Sequence, residues 1–262
     1  MKKTFFISLL LLSALPMLGC QTAPVSRNRT FLAQDIAASA GFTREYIKAG
    51  DFTLLTYRRF EKRSDIIDIY IEGDGRPAAH DPTPLDPLAL RLAVLDPADN
   101  VAYIARPGQY PLSSILECDP KYWSTYRFAP EVIDSINKAI DLEKQVAHAR
   151  HVKIIGYSGG GAIAVLAASK RDDVMSIRTV ASPLKSSLLG SLDPKDAAMD
   201  IAQIPQRHFV GSRDRVVPQS IVWSFVQQEG EETANRVTIV KGVSHTDGWV
   251  ERWKYLLSLS PS

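Results

Sequence analysis

The chain has 262 residues, 45% hydrophobic and 23% charged, with 31 basic and 29 acidic side chains. That length supports one sizeable α/β core and is short for two full domains. The balanced charge argues against a nucleic-acid partner, and two cysteines are too few for a disulfide framework.

The first segment is set aside before any fold is considered. "MKKTFFISLLLLSALPMLGC" opens with Lys2 and Lys3, continues as an apolar run from Phe5, and ends in Gly19-Cys20. This is the shape of a bacterial secretory signal over 1–19, with an apolar core too short for a comfortable membrane span. The small residue before Cys20 resembles a lipobox, although Met17 and Leu18 stand where Leu and a small residue are usual. Cys20 is therefore expected to be lipidated and to anchor the mature chain, the alternatives being a plain cleaved signal or an uncleaved anchor. Gln21 after the cysteine favours the outer membrane, facing the periplasm. Without the leader the chain carries 29 basic and 29 acidic residues, and with Cys20 modified only Cys118 remains, read as a small buried hydrophobe.

Residues 20–29 are polar and unpatterned and read as a lipidated tether, and 30–262 as a single domain. "TFLAQDIAASAG" (30–41) is expected to be a helix ended by Gly41. "FTLLTYRRF" (52–60) reads as a strand paired with "TREYIKA" before it. Strand and helix then alternate. Strands are expected at 65–75, 100–108, 152–158, 174–183, 207–214 and 235–245; helices are expected at 85–96, 129–149, 160–171, 220–230 and 248–259. The segment 182–205 reads as irregular. This alternation predicts an α/β fold with a mostly parallel central sheet covered by helices on both faces.

In such sheets ligands sit beyond the carboxyl ends of the strands, which sorts the candidate residues. Gly156-Tyr157-Ser158-Gly159-Gly160 fits G-x-S-x-G, and it follows an apolar strand and opens an alanine-rich helix. Ser158 is thus either a nucleophile held on a tight strand-to-helix turn or an idle serine in a glycine-rich one. A hydroxyl needs a base to take its proton. His148, His151 and His208 precede strands and face the wrong edge. His245 follows the last strand and is preferred, with His80 in reserve. Among acids, Asp172 and Asp173 precede a strand and Asp247 is too close in sequence to His245. Asp214 follows a strand and is chosen to orient the histidine, unless it merely pairs with Arg213 or Arg215. An oxyanion needs two donors. Gly159 N–H is one, and "IEGDGRP" supplies the other, the Asp74 backbone with Gly73 beside it, unless that loop is only a tight turn. No histidine has metal-ligand spacing, so neither metal nor organic cofactor is expected.

The chain resembles bacterial α/β-hydrolase lipoproteins over nearly all of 30–258, through Gly156–Gly160, "VGSRDRVVP", "GVSHTDGW", "EGDG", "RPGQY" and "ECDPKYWSTYRFAPEV". Glu72 stands where many relatives carry a histidine. A cysteine often occupies the place of Gly108 in that group and would partner Cys118; its absence agrees with a free thiol. The resemblance implies an α/β-hydrolase fold with a short cap at 182–205 and a serine hydrolase acting on an ester, thioester or amide. Arg106 and Tyr110 either line the pocket or brace it. The expected activity is cleavage of a carboxylic ester through an acyl-enzyme at Ser158. A peptidase or amidase with the same triad, or a non-catalytic envelope lipoprotein on this scaffold, are the alternatives.

Overall fold

A computed structural model describes residues 24–75, 80–111, 118–229 and 231–262. Eight strands form one sheet in the order β1-β2-β4-β3-β5-β6-β7-β8. They are β1 (Thr43–Ala49), β2 (Phe52–Phe60), β3 (Ile66–Ile71), β4 (Asn100–Ile104), β5 (His151–Tyr157), β6 (Val174–Val180), β7 (Gln206–Gly211) and β8 (Val237–Val240). A hairpin pairs β1 with β2, and β2 runs antiparallel to β4; every later pairing is parallel.

The central strands read as continuous apolar runs because both faces are covered, and β3 to β5 are buried almost throughout. On one face lie α3 (Pro130–Ala147), α4 (Gly159–Ala168) and α5 (Gln219–Val226), packed on Ile69, Ile154 and Ile177. On the other lie α1 (Pro24–Ser39), α2 (Leu88–Ala93) and α6 (Trp253–Ser258), with Tyr70, Tyr103 and Phe209 beneath them. Side chains alternate between the two cores along each strand, as the two-residue period of a strand requires.

Two expectations change. The helix placed at 30–41 begins at Pro24, so most of the supposed tether is helical. Proline suits a first helical turn, where its missing N–H is not needed. Arg29 draws this turn onto the domain: it is buried, donates from Nη1 to the Thr83 carbonyl at 3.1 Å, and lies 3.6 Å from Asp81. Cys20 and residues 1–19 lie outside the described residues. The segment 182–205 is not wholly irregular, since 3₁₀ turns form at Pro194–Ala197 and Met199–Ile201. Ala197, Ala198 and Ile201 are buried in the α4-side core, so this stretch folds down onto the body rather than standing over it. Asp193 organises its start by accepting from the amides of Ser186 and Lys195. No helix among the described residues is long and apolar enough to cross a membrane.

Candidate active site

The turn from β5 into α4 places Ser158 at φ 49°, ψ −126°, a backbone state that costs a non-glycine residue on the order of 1–3 kcal/mol. Its neighbours must be small. A Cβ on Gly156 would overlap the Gly160 carbonyl, and one on Gly159 would overlap the Asp74 carboxylate. The glycine run therefore lets β5 and α4 approach backbone to backbone and leaves room at Gly159 for the Asp74 carboxylate, with the Ser158 hydroxyl at the helix N-terminus.

The three side chains singled out from the sequence converge. His245 Nε2 lies 3.1 Å from Ser158 Oγ, and His245 Nδ1 lies 2.9 Å from Asp214 Oδ2. The Asp214 side chain is fully buried. Its other oxygen, Oδ1, accepts from the amides of Val216 at 2.8 Å and Val217 at 2.9 Å, so the carboxylate cannot rotate freely. Rather than pairing with Arg213 or Arg215, it is aimed inward. His245 is held by groups that sequence reasoning missed. Trp249 Nε1 donates to the carbonyls of Ser244 and His245, and Tyr157 OH donates to the His245 carbonyl at 3.3 Å. Ser244 and Asp247 tie the same turn together by side-chain hydrogen bonds, which gives Asp247 a structural place. A signal for these was present in the sequence only as aromatic residues flanking the candidate serine and histidine.

The other histidines stay apart. His208 is buried on β7 with Nδ1 against Thr179 Oγ1, and burial, helped by Arg236, pushes it down to about 3, so it is neutral at any ordinary pH. His148 is the left-handed cap of α3 and His151 begins β5, both at the amino edge. His80, the reserve base, is exposed. Cys118 is a half-buried free thiol that burial raises to about 11, unreactive rather than nucleophilic.

The loop after β3 departs from expectation in part. Gly73 touches the nucleophile turn, since a Cβ on it would sit 3.2 Å from Ser158 Cβ. Its amide, however, donates to Glu72 Oε1 at 2.8 Å, and its carbonyl accepts from Gln109 Nε2. Gly73 therefore has no amide to spare for an oxyanion, and that expectation is corrected. The amides of Gly159 and Asp74 enter no hydrogen bond among the described residues; Gly159 follows Ser158 directly, and the Asp74 carboxylate lies against Gly159. The Asp74 side chain, which sequence reasoning ignored, forms ion pairs with Arg106 at 3.1 Å and Arg127 at 3.4 Å. Arg106 is 3% exposed and also donates to the Arg127 carbonyl, so it braces the loops rather than lining an open pocket. Tyr110 is buried with a positive φ, its amide on Thr83 Oγ1, and is likewise structural.

Glu72 supplies the brace. Besides Gly73 it accepts from the Ala89 amide at the start of α2 and from Tyr103 OH. Burial pushes its carboxyl up to about 7 against the pull of those three donors. Because the folded value lies above the ordinary 4.5, no penalty exists below pH 4.5, where both folded and unfolded forms hold the proton. As pH rises toward 7 the unfolded chain ionises first and stability falls, by roughly 3 kcal/mol in all. Glu72→Gln is expected to remove this loss, so that wild-type and variant stability curves converge at low pH and separate by pH 7 in denaturant titrations. Parallel curves would refute it. Asp68, pushed up to about 7 by burial and the nearby Asp96, contributes a loss of the same sign to both proteins.

No protein-family model and no curated protein matches the chain. Solved structures do. An α/β serine hydrolase homologue from Coxiella burnetii is 15% identical, with TM-score 0.59 over 82% of this chain and 93% of its own. An esterase from Pyrococcus furiosus is 16% identical, with TM-score 0.60 over 86% and 92%. An α/β serine hydrolase without lid from Xanthomonas campestris is 12% identical, with TM-score 0.54 over 84% and 97%. The chain has the α/β-hydrolase fold.

Proposed function

We propose that the protein is a serine hydrolase that cleaves a carboxylic ester or thioester through an acyl-enzyme at Ser158. The observation that carries this reading is the unbroken chain from Ser158 Oγ through both ring nitrogens of His245 to the buried Asp214 carboxylate. In it, Ser158 Oγ attacks the substrate carbonyl as His245 Nε2 takes its proton. The amides of Gly159 and Asp74 hold the oxygen that becomes negative. His245 then gives the proton to the leaving alkoxide or thiolate; later it takes one from the water that attacks the acyl-enzyme and returns it to Ser158 Oγ as the acid departs. Asp214 keeps the ring in the tautomer with Nδ1–H and stabilises the imidazolium. The first transfer runs along a contact already within hydrogen-bond reach, Ser158 Oγ to His245 Nε2 at 3.1 Å. The fold shared with solved esterases and serine hydrolases supports the same chemistry.

The proposal includes a lipid on Cys20 that holds the enzyme at the cell envelope, supported by the leader pattern of residues 1–20. The test uses the full chain. A fluorophosphonate probe should label wild type and not Ser158→Ala, and short acyl esters should turn over while matched amides do not. Absence of labelling in folded wild-type protein would remove the hydrolase reading. Preferred amide turnover would move it to the peptidase class. Cys20→Ser should shift the protein from the membrane to the soluble fraction, and an unchanged distribution would remove the anchor.

A further inference from the structure

Arg127 lies between β4 and α3 and enters no step above. Its Nε is sealed from solvent against Asp74 Oδ2 at 3.4 Å, and its guanidinium carbon stands 5.2 Å from the centre of the Phe128 ring. Its main chain is fixed too, because Arg106 Nη2 donates to the Arg127 carbonyl at 2.6 Å. Neither Nη1 nor Nη2 of Arg127 makes a recorded hydrogen bond among the described residues, yet a quarter of the side chain is exposed. One edge of the guanidinium is thus buried in an ion pair that falls short of a hydrogen bond, and the other presents Nη1 and Nη2. Two guanidinium groups share one Asp74 carboxylate, the nearby Glu72 carboxyl being raised to about 7 by burial. Asp74 is already held by Arg106 through Oδ1, so Arg127 is the second cation on that one carboxylate. Partial burial of a second cation is costly, and bracing Asp74 does not require it. The cluster adjoins the reacting centre, since the Asp74 carboxylate lies directly against Gly159, the residue after the nucleophile.

We propose that the open edge of Arg127 binds an anionic group on the substrate, a carboxylate or phosphate carried a few bonds from the scissile carbonyl. A planar fork held from behind suits bidentate recognition of such a group, because little further ordering is needed on binding. This rests on the hydrolase reading and names the substrate class of that site: anionic acyl esters rather than plain fatty esters.

The test compares nitrophenyl hemisuccinate with nitrophenyl butyrate, similar in length and differing in charge. Wild type should favour the hemisuccinate in kcat/KM by about tenfold or more, as a charge-assisted hydrogen-bond pair allows. In Arg127→Gln and Arg127→Ala that ratio should collapse toward one, mainly through KM, while Arg127→Lys keeps part of it. Succinate and inorganic phosphate are also titrated as competitors and as thermal stabilisers of wild type and Arg127→Gln. Whichever acts on wild type alone identifies the group. A wild-type ratio near one with active turnover of the butyrate overturns the anionic subsite and leaves the hydrolase intact. Loss of fluorophosphonate labelling would instead strike at the hydrolase reading itself.

Discussion

Asp214→Asn is expected to lower kcat for ester hydrolysis by about 10⁴-fold while leaving the fold in place, the size seen when the acid of another serine hydrolase triad is made an amide. The orientation of the asparagine follows from the surroundings. Oδ1 of Asp214 accepts from the Val216 and Val217 amides, so an amide side chain must keep its oxygen there. Its NH₂ then takes the place of Oδ2 and points at His245 Nδ1, 2.9 Å away in the native protein. A donor facing Nδ1 forces that nitrogen to accept and moves the ring proton to Nε2. Nε2 is the atom that must take the Ser158 proton, so the base is blocked without being removed. Steady-state kinetics beside circular dichroism would check this. A fall of less than about tenfold in a folded variant would show that Asp214 does not set the tautomer.

Gly156→Ala is expected to cost about 3 kcal/mol or more and to lower Tm by on the order of 6–12 °C. A Cβ there meets the Gly160 carbonyl carbon and oxygen and the Gly161 Cα, all backbone atoms of the first turn of α4. Nothing flexible can yield, so the turn must unwind and carry Ser158 away from His245. Thermal unfolding and fluorophosphonate labelling should fall together. At Gly242 the cost would be of another kind, since a Cβ at that exposed turn meets nothing within 4 Å and only the positive φ of 78° opposes it. An unchanged Tm for Gly156→Ala would mean that strand and helix tolerate wider spacing than their packing implies.

Much of this architecture was legible in the sequence because its signals are local. The apolar runs at 66–71 and 152–157 and the glycines around Ser158 state strand, turn and helix within a few residues. Asp214 and His245 could be chosen because parallel strands sort residues by edge, a rule that needs chain order alone. What stayed hidden depends on pairs far apart in sequence. The start of α1 is set by Arg29 reaching Thr83, 54 residues on. The loss of Gly73 as a donor follows from where the Glu72 carboxyl turns, and no composition encodes that. Arg106 and Arg127 meet at Asp74 only after β3, β4 and the approach to α3 are assembled. Trp249 looked like one more apolar residue of the closing helix, yet its indole N–H pins the histidine turn.

The early start of α1 changes how the protein would sit on the proposed lipid. With the helix beginning at Pro24, only residues 21–23 separate a lipidated Cys20 from the folded body, a span of roughly 10 Å when fully stretched. Arg29 ties this end of the helix to the Thr83 carbonyl. If Cys20 carries the proposed lipid, so short a leash would leave the folded body little room to swivel on it.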